Sequence, residues 1–331
     1  MSSIDFDKLF SSFSNVKVAV IGDVMLDTYM WGKVERISPE APVPVVSLRK
    51  KEFRIGGAGN VALNLRSLDA KVSVLSVIGE DDDGKKLKQL FDDNKINTEF
   101  LLASPNRVTT NKIRVISRNQ QMMRLDNEVT HDLEYEDENR LVLAMQQFIA
   151  QEKPQVMIFE DYDKGVLTKP VIQKTIALCK HHGIITTVDP KRRNFFSYTG
   201  VDIFKPNLKE VKEGLNIIED NLTVEFLQQL HRLLKEKLQH HISFITLSES
   251  GVYYEMDGHH HLIPSHLRNI SDVSGAGDTV IAVASLVYAA TKNVGLMAEM
   301  ANIAGGIVCE EVGTVAIDKH KLLKECRTLI A

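Results

Sequence analysis

The stretch DVSGAGDTVIAVASLVYAA (Asp272–Ala290) places two glycines and an aspartate directly before an apolar helical segment. A helix start needs only one capping residue, and glycine in the first turn lowers helix stability, so capping does not explain the pair. Backbone N–H groups at a helix N-terminus bind phosphate well when no side chain blocks them, and the helix dipole is positive there. The stretch therefore predicts a phosphate site at Gly275, Ala276 and Gly277.

Asp278 follows these glycines in the first turn of the predicted helix. A carboxylate at that position can take the proton from an attacking hydroxyl, while the amides stabilise charge on the phosphorus oxygens. The alternative is that Asp278 only complements the helix dipole, but that explanation leaves the two glycines unaccounted for.

Composition restricts the classes of function. The chain has 331 residues, 44% of them hydrophobic, and a net charge of −4, so no basic surface for nucleic acid or an anionic membrane is expected. The N-terminus shows no signal pattern, and the apolar helix over residues 279–290 is too short to span a bilayer. Three widely spaced cysteines match no disulfide or zinc pattern, which is typical of a reducing cytoplasm.

Short apolar runs alternate with helical patterns along most of the chain. The runs are continuously apolar, as expected of strands covered on both faces, and this alternation predicts an α/β fold with a doubly wound, mainly parallel sheet. We expect one domain over residues 1–331. The predicted strands are 17–23, 71–80, 155–161, 183–190, 201–207 and 242–248, and the predicted helices include 60–68, 133–152, 169–182, 224–240 and 279–290.

Two stretches depart from this alternation. Residues 41–55 carry prolines in an extended segment, which suits an edge strand, and residues 109–126 alternate around a hairpin turn near Asn119. Both predict a small separate β-sheet, with segments of about 29–55 and 107–126. Such a sheet could be a lid over a substrate, a dimer contact, or both.

Two familiar nucleotide motifs fail. GEDDDGKK (residues 79–86) resembles a phosphate-binding loop, but Lys86 replaces the magnesium-binding hydroxyl and three aspartates would face the phosphates. GGAGNVA (residues 56–62) has the spacing of a dinucleotide motif, but it follows the proline-containing edge segment rather than a buried first strand.

DVSGAGDT together with GGAGNVALNL (residues 56–65) resembles the paired signatures of the PfkB, or ribokinase-like, sugar kinases, over a likeness from about Val16 to Ile330. The resemblance implies a ribokinase-like fold with helices on both faces of the sheet and a β-sheet lid. It also implies ATP and Mg²⁺ as cofactors and Asp278 as the general base. One departure is Glu160 in EDYDKG, where the first position is more often small.

Within this family, GDVMLDTYMWG (22–32), RISPEAPVPVV (36–46), TTNKIRVISRNQQMMRLD (109–126) and DYDKG (161–165) resemble the heptose 7-phosphate kinases of lipopolysaccharide core biosynthesis. The implied reaction is phosphorylation of the C1 hydroxyl of D-glycero-D-manno-heptose 7-phosphate. Because no H-x-G-H pattern occurs, we expect no C-terminal adenylyltransferase domain. The alternatives are a kinase acting on fructose, ribose, adenosine or a ketodeoxy acid, and a non-catalytic sugar-binding regulator.

The sugar is expected at the end of the first strand, where ligands bind in open α/β sheets. Paired carboxylates there can bind hydroxyls, and a glycine turn brings backbone and an amide close to the substrate. The alternative for both groups is turn chemistry alone. The predicted sugar-binding residues are Asp23, Asp27, Gly56, Gly57 and Asn60.

A phosphorylated sugar also needs cations away from the reacting hydroxyl, and guanidinium groups suit phosphate because they bind it in bidentate fashion. Strand alternation predicts that Lys112, Arg114 and Arg118 share a face, and that the turn takes Arg124 out of register. Lys164 follows in DYDKG. The alternative is a basic, solvated strand face.

Asn207 and Glu210 in KPNLKE stand three residues apart, so at a helix start both can face one site. They fit the magnesium- and phosphate-positioning motif of the family, with Glu210 acting indirectly on Mg²⁺, and they also fit a capping box. The resemblance places further residues on the nucleotide side: Asp189, Lys191, Ser248, Glu249, Gly251 and Asn302. It also implies a monovalent cation, K⁺, at Asp272 and the backbone near Gly313. From the separate sheet we expect a homodimer formed through the lid.

Overall fold

The continuous apolar runs form a nine-stranded sheet in the computed structural model, which describes residues 4–118, 120–219 and 222–330. The strand order is β13-β12-β11-β10-β9-β8-β1-β4-β5, and only β12 and β13 run antiparallel to their neighbours. The strands are β1 (Lys17–Gly22), β4 (Lys71–Gly79), β5 (Leu101–Ser104), β8 (Val156–Glu160), β9 (Ile185–Asp189), β10 (Ile203–Phe204), β11 (Ile242–Thr246), β12 (Val252–Met256) and β13 (His259–Ile263).

Helices cover both faces of this sheet, so successive strand residues enter two different cores. Val18 and Val20 of β1 pack in one core, while Ala19 and Ile21 pack in the other. The first core contains α1 (Phe6–Ser12), α2 (Ala58–Ser67), α3 (Asp82–Asp93), α8 (Ala276–Thr291), α9 (Val294–Val308) and α10 (Lys319–Leu329). The second contains α4 (Tyr135–Glu152), α5 (Lys169–His182), α6 (Leu208–Leu215) and α7 (Val224–Leu238). The prediction of a doubly wound sheet is confirmed.

A second sheet of four strands lies apart from the first, in the order β3-β2-β6-β7. Its strands are β2 (Val24–Ile37), β3 (Pro44–Gly57), β6 (Asn111–Ser117) and β7 (Gln120–Asn127). This is the predicted small sheet, and we call it the lid sheet. The predicted turn residue Asn119 lies outside the described residues.

Several predicted boundaries were wrong. β2 starts well before residue 29, because its first half pairs with β3 and β6 in the lid sheet. β10 has only two residues, since the chain leaves the sheet at Lys205.

The stretch of residues 79–86, which the sequence analysis rejected as a phosphate-binding loop, is the start of α3. The Asp81 side chain there accepts the Gly84 N–H at 2.7 Å.

The carboxyl ends of the parallel strands collect polar residues at one edge of the main sheet. In the strand register, Gly22 at the end of β1 lies beside Glu160 of β8, which lies beside Asp189 of β9. The lid sheet starts from the same edge, because β2 begins two residues after β1 ends. Within the described residues, no helix combines the length and apolar character needed to cross a membrane.

Candidate active site

The glycines before α8 bring backbone close to other polar groups at the carboxyl edge. Gly275 has a φ of +79°, in the left-handed region that favours glycine, and a Cβ there would lie 2.8 Å from Nδ2 of Asn60. Among the described residues no side chain caps α8. The Ala276 N–H donates to the Val273 carbonyl at 3.2 Å, so the turn itself uses one of the three predicted amides.

Asp278 is buried in the first turn of α8, and each of its carboxylate oxygens accepts one side-chain hydrogen bond. The hydroxyl of Tyr162 donates to Oδ1 at 2.6 Å, and Nδ2 of Asn60 donates to Oδ2 at 2.8 Å. Burial raises the pKa of Asp278 to about 6, although both hydrogen bonds oppose the rise. A carboxylate with this pKa is ionised at neutral pH yet basic enough to receive a proton.

Two asparagines one helical turn apart on α2 join α2 to α8. Asn60 contacts Asp278, and Oδ1 of Asn64 accepts the hydroxyl of Thr279 at 3.0 Å and the N–H of Ile317 at 2.9 Å. Both amides are fully buried. Because unpaired buried amides are costly, these bonds fix how the two helices meet beside Asp278.

Asp23 does not present free oxygens to a sugar, which corrects the role predicted for it. Its carboxylate accepts three backbone N–H groups, from Tyr162 (2.8 Å), Lys164 (3.1 Å) and Val166 (3.1 Å). Burial, and then the charge of Asp161, raise the pKa of Asp23 to about 6 against these bonds. Asp23 therefore holds the loop of residues 161–166.

The same loop is held from its carbonyl side. Buried Arg107 donates from Nη1 to the carbonyl of His131 at 2.9 Å and from Nη2 to that of Lys164 at 2.5 Å. Gly165 fits between them with a φ of +86°, and a Cβ there would collide with the His131 carbonyl. An acid and a base thus fix the loop that carries Tyr162 to Asp278.

Asp27 and the glycine turn form a second wall of the site. Oδ1 of Asp27 accepts Nη1 of Arg114 at 2.5 Å, and a Cβ on Gly56 would collide with Oδ2 of the same carboxylate. Gly57 adopts a φ of +58° immediately before α2. Gly56 therefore lies against Asp27, and Gly57 leads into the helix that carries Asn60.

Three of the predicted cations lie on one face of the lid sheet, but not the three that were expected. Arg124 lies directly opposite Arg114, and Lys112 lies opposite Asp126. A bulge between Val115 and Ile116 restores the register that the turn was expected to break. Arg118 lies in the turn itself, with a φ of +48°, six residues and roughly 20 Å along the hairpin from Lys112.

Lysines and carboxylates meet at the ends of β9 and β10, next to Gly277. Nζ of Lys205 lies 2.8 Å from Oδ2 of Asp189, and Nζ of Lys191 lies 3.3 Å from Oδ1 of Asp189 and 2.7 Å from Oε1 of Glu210. Burial alone would raise the pKa of Asp189, but the two lysines outweigh it and lower that pKa. A Cβ on Gly277 would lie 3.8 Å from Lys205, so this cation is beside the helix start.

Asn207 and Glu210 form a complete capping box for α6. The Asn207 side chain accepts the Glu210 N–H, and the Glu210 side chain accepts the Asn207 N–H, each at 2.8 Å. Oε1 of Glu210 remains directed to Lys191. The structure thus shows the capping alternative without removing Glu210 from the site.

Glu160 is fully buried at the end of β8, and within the described residues neither of its carboxylate oxygens has a hydrogen-bond partner. Burial, together with the charges of Asp189 and Asp278, raises its pKa well above the ordinary value. The neutral form of this carboxyl group is therefore favoured more than in an ordinary glutamate.

The family model described as "pfkB family carbohydrate kinase" matches residues 15–321. The chain belongs to the pfkB family of carbohydrate kinases. It is a carbohydrate kinase, that is, a phosphotransferase that acts on an alcohol group of a sugar.

Curated relatives of this pfkB kinase include the bifunctional protein HldE of Geotalea uraniireducens, 38% identical over 98% of this chain and 66% of that protein. HldE of Desulfatibacillum aliphaticivorans is 40% identical over 94% of this chain and 63% of its own length. The chain thus spans slightly less than two thirds of these relatives.

Solved structures show the same fold at low sequence identity. Escherichia coli phosphofructokinase-2 in complex with potassium has a TM-score of 0.78 and 16% identity, covering 96% of this chain and 99% of that one. Arabidopsis thaliana ribokinase complexed with ribose and ATP has a TM-score of 0.69 and 17% identity, covering 93% and 98%. The ribokinase-like fold is confirmed.

In this pfkB kinase, a cavity of about 970 Å³ opens between α6 and the turn after β11. Asn207, Ser248 and Glu249 of the predicted nucleotide-side residues line it. Gly251 and Asn302 shape the structure next to it: Gly251 ends the turn with a φ of +95°, and Nδ2 of Asn302 donates to the Pro264 carbonyl at 2.9 Å.

Asp272 and Gly313, the residues predicted to hold a monovalent cation, contact each other directly. Oδ2 of Asp272 accepts the Gly313 N–H at 2.9 Å, while Oδ1 accepts the backbone N–H of Ser274 at 2.9 Å and its hydroxyl at 2.8 Å. The aspartate therefore fastens the loop before α8 to the loop that contains Gly313. Among the described residues no group of three or more histidine, cysteine or acidic side chains could hold a metal ion.

Sequence reasoning missed Tyr162, Arg107 and Lys205. Tyr162 stands inside the quoted DYDKG motif and Lys205 inside KPNLKE, so both motifs contained the signal, but neither showed which side chain turns inward. Arg107 carried no signal, because its partners lie 24 and 57 residues away.

We expect Asp278→Asn to lower kcat by about 10²–10⁴-fold, because a positioned general base contributes that much. Steady-state ADP release at pH 7.5 measures the effect. Asp257→Asn is the matched control, since Asp257 lies in the β12–β13 turn with a φ of +50°, which asparagine tolerates. An Asp278→Asn enzyme within tenfold of the unaltered protein would remove Asp278 from this role.

The pKa of Asp278 also predicts a pH profile. The base must be ionised, so kcat/KM should fall as pH decreases through about 6. Asp23 titrates in the same range, and Glu160, Asp189 and Lys191 surround Asp278.

Tyr162→Phe separates these groups, because it removes a hydrogen bond to the ionised form of Asp278 but keeps the N–H that Asp23 accepts. The acidic limb should therefore move upward by about half to one pH unit. An unmoved limb would assign it to another group.

Proposed function

We propose that this chain phosphorylates the C1 hydroxyl of D-glycero-D-manno-heptose 7-phosphate with ATP to give the 1,7-bisphosphate. The observation that carries the proposal is the buried Asp278 carboxylate, held by Tyr162 and Asn60 at a glycine-rich helix start. Two relatives named as bifunctional HldE support a heptose as the acceptor. The product would serve the synthesis of nucleotide-activated heptose for the lipopolysaccharide core, and we place the reaction in the cytoplasm, where ATP is available.

ATP would lie in the 970 Å³ cavity with its phosphates directed toward Lys191, Lys205 and the first turn of α8. Phosphoryl transfer depends on positioning and charge stabilisation rather than on a covalent enzyme intermediate. Asp278 takes the proton of the C1 hydroxyl as that oxygen attacks the terminal phosphorus, while the helix-start amides stabilise the charge on the phosphoryl oxygens. The lid sheet would exclude water, which is a competing acceptor.

The residues present fit Mg²⁺ held mainly by the phosphates. Magnesium binds through one or two carboxylates together with substrate phosphates. Glu210, whose Oε1 accepts a hydrogen bond from Lys191, would supply such a carboxylate. When bound, the ion would neutralise charge on the terminal phosphates. Asp272 and the backbone near Gly313, which meet between two loops, would hold K⁺, because carboxylate and carbonyl oxygens are the ligands that hard cations take.

The acceptor's own phosphate would meet the basic face of the lid sheet. Lys112 and Arg114 lie on this face. Lys164 approaches it from the loop of residues 161–166, which Asp23 and Arg107 hold and which we call the clamped loop. Lys112, Arg114 and Lys164 are all less than one fifth exposed, so they are not an ordinary solvated strand face. Arg124 lies further out, half exposed and paired with Asp126.

Coupled ADP release from a panel of sugars with Mg·ATP tests the substrate. The panel contains heptose 7-phosphate, unphosphorylated heptose, fructose 6-phosphate, ribose and adenosine. We expect turnover on heptose 7-phosphate at least about 10²-fold above the neutral sugars, because its phosphate can make charged hydrogen bonds to the lid cations that a neutral sugar cannot make.

Turnover on ribose, adenosine or another neutral sugar would contradict the proposed substrate while leaving Asp278 as the base. Failure of every sugar in the panel, with ATP binding intact, would contradict the proposed substrate and leave a ketodeoxy acid as the next acceptor to test.

We also propose a homodimer through the outer face of the lid sheet. Met123 and Leu125 alternate with the inward-facing Arg124 and Asp126, and they are about half exposed. Apolar side chains gathered on one strand face favour burial against a second copy of the same sheet.

Sedimentation velocity checks this proposal with Leu125→Glu, which should dissociate the dimer by introducing a charge into the contact. Leu143→Glu on the exposed face of α4 is the control, since Leu143 is 64% exposed and lies on a helix outside the lid sheet. A monomeric unaltered protein, or a dimer that survives Leu125→Glu, would rule out this contact.

A further inference from the structure

Two lysines from different parts of the fold converge on one glutamate. Lys112 comes from β6, Lys164 from the clamped loop, and Glu128 immediately follows β7. Nζ of Lys164 lies 2.7 Å from Oε1 of Glu128, and Nζ of Lys112 lies 3.9 Å from Oε2. All three side chains are less than one fifth exposed. A carboxylate therefore occupies the space between the two cations.

This carboxylate satisfies only one of the lysines well. Oε1 makes a short charged hydrogen bond, but Oε2 is buried and, among the described residues, makes no hydrogen bond. Its 3.9 Å separation from Lys112 is beyond hydrogen-bond length. A buried acceptor without a donor costs free energy, so this arrangement is poorer than one in which both lysines donate.

A phosphate fits the same pair of cations better than the carboxylate does. It carries three strong acceptor oxygens and close to two negative charges at pH 7, whereas the carboxylate offers two oxygens and one charge. The face around it holds four cations against three carboxylates: Lys112, Arg114, Arg124 and Lys164 against Asp27, Asp126 and Glu128. The local balance is therefore only slightly positive while Glu128 is in place.

We propose that Glu128 occupies the place of the acceptor's phosphate, yields it when a phosphorylated sugar binds, and by this competition sets the affinity for that phosphate. The inference rests on the proposed function, in that the acceptor carries a phosphate. A neutral sugar offers nothing to exchange for the carboxylate, so the lysines stay paired with Glu128. Only a phosphate compensates for breaking the short ion pair with Lys164.

The alternative is that Glu128 is a structural tie between the lid sheet and the clamped loop. The two roles predict opposite effects of Glu128→Gln, a substitution that keeps the shape but removes the charge. A lost tie would loosen the site and weaken binding of every acceptor. A lost competitor would strengthen binding of phosphate and leave neutral sugars unaffected.

The first arm measures binding of inorganic phosphate by isothermal titration calorimetry, with the full chain saturated by AMP-PNP and Mg²⁺ so that the helix start is occupied. We expect Glu128→Gln to bind phosphate about three- to tenfold more tightly, as removal of one nearby negative charge predicts. Glu35→Gln is the matched control, because Glu35 lies on β2 of the same sheet and pairs with Lys33. Its Kd should stay unchanged.

Lys164→Gln supplies a second control within this arm. Lys164→Gln alone should weaken phosphate binding. The increase in phosphate affinity caused by Glu128→Gln should be smaller in the Lys164→Gln background than in the unaltered protein, because the carboxylate and the phosphate then compete for one lysine fewer. Equal gains in both backgrounds would locate the bound phosphate elsewhere and overturn the inference.

The second arm measures KM for heptose 7-phosphate and for unphosphorylated heptose. Glu128→Gln should lower KM about three- to tenfold for the phosphorylated sugar only, with kcat changed less than about twofold. Unchanged or weaker binding of both phosphate and phosphorylated sugar would overturn the inference. Tighter phosphate binding by an enzyme that does not turn over heptose 7-phosphate would instead contradict the proposed substrate and leave the role of Glu128 standing.

Discussion

The hydrogen bonds that meet at Asp278 join the three parts of the molecule that a kinase must bring together. Asn60 comes from the glycine turn at the end of the lid sheet, Tyr162 from the loop after β8, and Asp278 from the start of α8. Because the carboxylate is buried, each lost bond would leave a polar atom without a partner, so the junction specifies one arrangement. The position of Tyr162 depends in turn on Asp23, which accepts three amides of its loop.

The buried charges at this edge of the sheet are compensated by neighbouring side chains of opposite charge rather than by solvent. Lys191 and Lys205 lower the pKa of Asp189. Glu160, its neighbour in the strand register, has no cation in hydrogen-bond contact among the described residues, and burial raises its pKa well above the ordinary value. Buried charges persist only when they are paired, and Asp189 supplies the negative charge that keeps both lysines charged and in place before an anion binds. A polyphosphate entering here would find cations already positioned.

Residues whose roles depend on local pattern could be predicted from the sequence, whereas those defined by distant contacts could not. The glycines and Asp278 lie within four positions, and their spacing alone indicated a phosphate site beside a base. Asp23 looked like a sugar ligand because it follows the first strand, but its partners lie 139 to 143 residues further along. Arg124 was predicted out of register because a bulge leaves no mark in the sequence. The lid strand β2 was cut short for a related reason, since its pairing partners, not its own residues, define its start.

The lid sheet extends the same principle to the acceptor side. Three of its four cations are matched closely by carboxylates of the protein: Arg114 by Asp27, Arg124 by Asp126, and Lys164 by Glu128. The fourth, Lys112, lies 3.9 Å from both Asp126 and Glu128. A site built this way is ordered before the substrate arrives, so binding costs little side-chain entropy. The substrate's phosphate must then displace a carboxylate from its cation instead of binding an unpaired cation. Selectivity follows from that exchange, because an acceptor without a strong anion cannot replace the internal pair and so gains no contact with the lid cations.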